Sequence, residues 1–199
     1  MKSVKERISI PVHVLIRPRN GDFTYSDIEF DIMKKDIALC VDLGFDGIVS
    51  GILHKDFSLD VERTEQLISA SKELKFTFHR AFDWVEDPYK TLEQLETLGV
   101  DFILSSGQQK SAVQGIDLLI GLFQQASNCT IMPGGGIDID NVRRFKESEF
   151  NAIHLSGTES IKTLARLPKI SMNSFSFIKD DEISCTGIDK VLKIVKAVK

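Results

Sequence analysis

The chain has 199 residues, 42% of them hydrophobic and 27% charged, with 25 basic against 29 acidic side chains and a formal net charge of -4. That balance suits a globular protein and excludes an intrinsically disordered chain. No uncharged apolar stretch approaches the ~20 residues that a bilayer helix requires, and without a dense Lys/Arg block no nucleic-acid partner is expected.

Met1 to Ile10 carries Lys2, Lys5, Glu6 and Arg7 and has no apolar core of the secretory type, so a cytoplasmic location is expected. Val12 to Ile16 is a β-branched run that predicts a first strand. Ser26 followed by Glu29 is a capping-box pair that opens a helix, and Gly44 closes it. Ile28, Ile32, Met33, Ile37, Cys40 and Val41 recur at helical spacing along it, which predicts one face buried against a sheet.

The pattern then repeats. Strands are predicted at Gly47–Ser50, Phe76–His79, Phe102–Ser105, Thr130–Met132 and Ala152–Leu155. Between and after them helices are predicted near Val61–Glu73, Pro88–Leu98, Ser111–Ala126, Ile139–Glu147 and Ile188–Val198. Leu43-Gly44-Phe45-Asp46 and Leu98-Gly99-Val100-Asp101 echo each other at two helix-to-strand junctions. Strict βα alternation implies a parallel sheet, and motifs spread over all strand ends favour a (β/α) barrel over a doubly wound sheet. Six strands are counted, where a closed barrel of this type has eight in ~250 residues. No linker marks a second domain, so residues 1–199 read as one barrel domain.

Period-2 sorting of the strands places Val12, Val14 and Ile16 toward the helices and His13, Leu15 and Arg17 toward the lumen. Likewise Thr77, His79, His154 and Ser156 face inward, with Ser50 and Ser105 expected to join them. A lumen normally filled by aliphatic side chains therefore holds three histidines, an arginine and several hydroxyls, which are costly to bury unless they meet a ligand or each other. Arg17 and Arg19 in IRPRNGDF, Arg80 and Asp83 in FTFHRAFD, and His54 in GILHKD lie just past strand ends. Paired arginines suit a carboxylate or phosphate, although the same arginines can tie loops by pairing with Asp22, Asp27 or Asp83. Gly134, Gly135 and Gly136 in MPGGGI, with Ser156 and Gly157 in IHLSGT, form two turns of the kind that cradle anions, or simply tight turns.

For proton transfer, His79 with Asp83, or His154, is the candidate, since imidazole titrates near neutrality. The same three residues offer N and O donors to a divalent metal. Lys75 precedes its strand and lies on the far face, which argues against a Schiff-base lysine. Cys40, Cys129 and Cys185 are odd in number, far apart and never in a C-x-x-C pair, so neither a disulfide framework nor a thiol-rich metal site is expected. Met132 is the one soft candidate ligand assigned to the lumen.

VHVLIRPRNGDFTYSD, FTFHRAFD, LSSGQ, PGGGI and IHLSG, in that order and at strand ends, resemble the CutC copper homeostasis protein family over nearly the whole chain. The resemblance implies a cytoplasmic TIM-type barrel linked to copper tolerance, with copper as a possible bound ion. It also implies that the family's first strand, helix and second strand, with an early cysteine, are absent, and that Met1 to Arg7 ends the second helix of that unit. The open strand edges then call either for a protein longer than this chain or for a second copy of the chain to cover them, the latter a homo-oligomer. The residues themselves point elsewhere, to a small phosphorylated or carboxylated metabolite handled by histidine acid-base chemistry.

Overall fold

The computed structural model describes residues 1–171 and 179–199. After a four-residue helix α1 (Lys2–Lys5), strand β1 (His13–Leu15) leads to α2 (Asp27–Asp42) and β2 (Gly47–Ser50), then α3 (Val61–Ser71) and β3 (Lys75–Phe78). A 3-10 turn (Arg80–Trp84), α4 (Pro88–Thr97), β4 (Phe102–Ser105), α5 (Ile116–Gln125), β5 (Thr130–Pro133) and α6 (Val142–Glu147) follow. The five strands form one parallel sheet in the order β1-β2-β3-β4-β5, with each strand paired to its sequential neighbour. This is the βα-repeat architecture that the alternation predicts.

Local chemistry sets the element ends. The capping box on α2 is complete: Glu29 N–H donates to the Ser26 hydroxyl while the Glu29 carboxylate accepts from Ser26 N–H at 2.8 Å. Asp60 and Asp87 cap α3 and α4 in the same way, each accepting from a backbone N–H three residues on.

The helix-facing side of the sheet carries Val14, Ile48, Phe76, Phe78, Ile103 and Ile131 against Met33, Ile37, Leu67, Leu92, Leu95, Leu119, Leu122 and Phe145. Most of these side chains are fully buried. Such burial contributes about 1.5–3 kcal/mol per large side chain and is the main force holding the layers together.

Several elements depart from the sequence reading. Ala152–Leu155 is not a strand: its single parallel bridge joins His154 to Gly134, with His154 N–H donating to Pro133 O at 2.8 Å. The next ladder bond upstream would come from the N–H of residue 133, and proline has none. The helix expected from Ser111 begins at Ile116, because Gln114 and Gly115 both donate to Ser111 O in a turn. The helix expected from Ile139 begins at Val142, because the Asp138 carboxylate accepts from Asp140 and Asn141 N–H in an Asx turn. Beyond the repeats lies an antiparallel hairpin, β6 (Thr158–Lys162) and β7 (Glu182–Thr186), before α7 (Ile188–Val198), and the βα reading had no place for it.

Strand β1 at one end of the sheet and His154 beyond its other end both line one cavity, so the sheet is rolled around a lumen. The outer edge of β1 has no strand partner among the described residues, and lumen-facing Leu15 is 59% exposed.

Candidate functional site

The lumen cavity, about 320 Å³, is lined by His13, Leu15, Arg17, Phe23, Val49, His79, Arg80, Leu104 and His154. One wall is apolar; the polar lining is three imidazoles and two guanidinium groups, with no carboxylate among the lining residues. The predicted convergence of His13, His79, His154, Arg17 and Arg80 is therefore real.

Each side chain is placed by its strand or by the loop that follows. His13 lies at the floor, its ring edge-on to Phe102 at 5.8 Å and its Nδ1 3.5 Å from the Thr77 hydroxyl; Thr77 itself is buried in the lumen wall. Arg17 extends past β1, bonds Gly21 O through Nη2 at 2.5 Å and stacks over Phe23 at 4.7 Å. Its Nε is buried with no hydrogen-bond partner. Phe23 in turn packs on the His79 ring at 4.8 Å and on Trp84 at 4.8 Å.

His79 caps the 3-10 turn. Its Nδ1 accepts from Ala81 N–H at 3.1 Å, which leaves the proton of the neutral ring on Nε2, and that atom is buried with no partner. Burial first, and the Arg17 charge second, push its pKa down to about 4, so the ring is a neutral donor at physiological pH. Gly51 makes this packing possible, since a Cβ there would lie 2.6 Å from His79 Nδ1. His154 lines the cavity with its side chain exposed to solvent; desolvation first, and the Arg80 charge second, lower its pKa, leaving it an unprotonated base.

Asp83 does not pair with His79. Its carboxylate is saturated: it accepts from Ser105 Oγ at 2.6 Å, from Ser106 N at 2.9 Å, from Gln108 N at 3.2 Å and from Arg80 Nε at 2.7 Å. It pins the loop after β4 and orients Arg80, whose Nη2 donates to Ser106 Oγ at 2.7 Å. A carboxylate so occupied has no free lone pair for proton transfer or metal ligation, which corrects both roles assigned to Asp83.

Ser105 is likewise spent on Asp83 and on Gly107 N–H rather than on an anion. Ser50 is in register with Phe78 on the helix side, not in the lumen, and its hydroxyl donates to Ile16 O. Arg19 is also withdrawn, bonded to Glu29 at 2.6 Å, Asp22 at 3.0 Å and Thr24 O at 2.8 Å. The Thr24 backbone N–H and the Arg19 bond hold the Asp22 carboxyl down to about 2.

The two glycine turns separate. Gly134 N–H donates to Ser105 O, and Gly135, at φ +115°, lies against the Arg80 guanidinium, where a Cβ would be 3.5 Å from Cζ. Gly136, Ser156 and Gly157 instead line a second cavity with Asp138, Lys190 and Lys193. His54 borders a third, open groove in which Arg63 pairs with Asp27 and bonds Tyr25 O. Phe23, Gly51 and Ser106 were not singled out from sequence; their signal was adjacency to the strand-end motifs, and only contacts reveal their part.

Among the described residues no group of three or more His, Cys, Asp or Glu is placed to hold a metal ion. Cys40 lies on the buried face of α2, its Sγ 3.8 Å from Met1 Sδ and outside the lumen, and burial raises its pKa. The Cys129 thiol is pushed up to about 12 by burial and by Glu96. Cu(I) favours thiolate and thioether sulfur; the residues lining the cavity include neither, and Met132, in register with Leu104, brings a single thioether to the sheet's inner face. The lumen does not fit that ion.

A rolled parallel sheet with its polar cluster at the C-terminal strand ends defines a TIM-barrel-like α/β protein. The family model of the CutC family matches residues 1–159, and the chain belongs to that family. It is 39% identical over 189 residues to a CutC family protein of Erwinia tasmaniensis, covering 95% of this chain and 75% of that one. A Serratia proteamaculans relative is 37% identical over 199 residues, 100% of this chain and 78% of its own. Among solved structures, a CutC chain from Streptococcus agalactiae described as a copper homeostasis protein superposes with a TM-score of 0.74 at 34% identity, covering 77% of both chains. An aldolase, QR15, shares the fold at a TM-score of 0.60 and 13% identity, over 76% of this chain and 71% of that one.

Proposed function

We propose that the lumen binds a small anionic metabolite and that His154 exchanges a proton with it, while Arg17, Arg80 and neutral His79 hold the negative charge. The observation that carries this reading is the pair of buried donors without partners, Arg17 Nε and His79 Nε2, on residues lining one cavity that has no lining carboxylate. An unsatisfied buried donor costs about 1–3 kcal/mol, and such groups persist where a ligand or water completes them. His79 cannot serve as the base because its free nitrogen carries the proton; His154 can.

The description of the Streptococcus agalactiae relative supports a second reading, a role in copper homeostasis, in which a cytoplasmic location and copper held outside this lumen would follow from the family resemblance. The edge of β1, without a strand partner among the described residues, supports self-association in either reading. Native mass spectrometry of the chain purified from its own host tests the two. A retained organic anion, lost in Arg17→Gln, is the expected result; stoichiometric copper with no organic anion would overturn the metabolite reading.

A further inference from the structure

We infer that the lumen ligand is a small monocarboxylate with an apolar body, rather than a phosphate ester. The inference rests on the anion reading above and narrows it.

Charge is the first argument. Of the groups at the cavity, Arg17 has no acidic partner among the described residues, Arg80 is neutralised by Asp83 at 2.7 Å, and His79 is an uncharged donor. About one net positive charge faces the cavity, which matches a monoanion. A phosphate dianion would bring a second charge into a partly dehydrated space with nothing to balance it, and desolvating an unbalanced charge costs several kcal/mol.

Donor geometry is the second. Phosphate sites are built from converging backbone N–H groups in a glycine turn. Here Gly134 N–H is committed to Ser105 O, while Gly136, Ser156 and Gly157 border the other cavity. What the lumen offers is a guanidinium N–H of Arg17 and an imidazole N–H of His79, two residues that both pack on Phe23, and two such donors suit the two oxygens of a carboxylate.

The walls are the third. Leu15, Phe23, Val49 and Leu104 supply an apolar surface opposite the donors, so a ligand that fills the cavity carries hydrocarbon there. His154 then stands beside the bound anion as a neutral imidazole.

The test is calorimetric titration of the full chain with benzoate, phenylphosphate, inorganic phosphate and benzyl alcohol at pH 7.5. Benzoate is expected to bind at least tenfold more tightly than either phosphate, with no measurable binding of benzyl alcohol. Arg17→Gln should weaken benzoate at least tenfold, and Ser156→Ala, in the other cavity, should leave it unchanged. Phenylphosphate binding as tightly as benzoate, with the same loss in Arg17→Gln, would overturn the carboxylate assignment and leave the anion site standing. Equal binding of benzyl alcohol, or no binding of any anion, would overturn both. These outcomes are read on the unsubstituted chain first, so they do not depend on the variants folding.

Discussion

Replacing Asp83 by Asn isolates the interaction that holds the site together. The carboxylate is 7% exposed and accepts hydrogen bonds from Arg80 Nε at 2.7 Å, Ser105 Oγ at 2.6 Å and the N–H groups of Ser106 and Gln108 at 2.9 and 3.2 Å. The amide keeps one acceptor oxygen but turns an NH2 toward at least one of these donors, and it removes the charge facing Arg80. Breaking a buried ion pair by removing one partner costs about 3–5 kcal/mol. Arg80 is 44% exposed, so water recovers part of the loss and the lower end, about 3 kcal/mol, is expected. For a chain of this length that lowers Tm by ~6–12 °C. Urea unfolding followed by circular dichroism measures it as a fall in the midpoint at unchanged m. A loss below about 1 kcal/mol would refute the account, because it would mean that the carboxylate is not the tie between the 3-10 turn and the loop after β4.

Three further outcomes are expected. Unfolded histidine titrates near 6.5 while folded His79 titrates at about 4, so the unfolded chain alone takes up this proton between those values and stability falls as pH drops through that window, by about 3 kcal/mol in total. Denaturation midpoints from pH 7 to 5 should decline in the native chain and decline less in His79→Gln; a flat profile would contradict the burial of a neutral ring. Gly51→Ala places a methyl 2.6 Å from His79 Nδ1, and the overpacking should cost about 1–3 kcal/mol and weaken anion binding; unchanged stability and affinity would show that the ring has room to shift. Iodoacetamide at pH 8, read by mass spectrometry, should leave Cys40 and Cys129 unmodified in the native state, since burial raises both thiol pKa values, and modify them once urea is added; rapid native labelling of Cys129 would contradict its burial beside Glu96.

The arrangement also explains how a polar cluster is tolerated on the inner face of a sheet. Asp83 and its donors form a closed set that leaves nothing of the carboxylate unpaired, and Arg19 is consumed by Asp22 and Glu29. Among the cavity-lining side chains, Arg17 Nε and His79 Nε2 remain open, while Tyr25 Oη, Thr64 Oγ1 and Asp181 Oδ1 are buried without a partner away from that lining. Two open donors on one cavity are what a binding site leaves for its ligand to complete.

Periodicity alone was enough to establish the βα repeat, the capping box at Ser26 and Glu29, and the inward parity of His13, Thr77, His79 and His154, because side-chain direction follows directly from the twofold period of a strand. The inward direction of Arg17 was legible for the same reason, whereas Arg80 could be placed only near the strand end, and its place in the cavity lining is set by the 3-10 turn. Ser50 and Ser105, expected in the lumen, instead keep the parity of Ile48 and Ile103 two residues earlier and face the helices, in register with Phe78 and Pro133. Composition could not show that Arg19 and Asp83 are spent on loop ties, or that Pro133 stops the ladder at His154, since each depends on which groups the fold brings within hydrogen-bond reach. Tertiary structure decided which polar groups are satisfied and which are left waiting. Part of that choice is local, since Arg19 with Asp22 and Arg80 with Asp83 are three residues apart; the rest rests on partners 20 or more residues apart, such as Asp83 with Ser105 and Ser106, which no local pattern encodes.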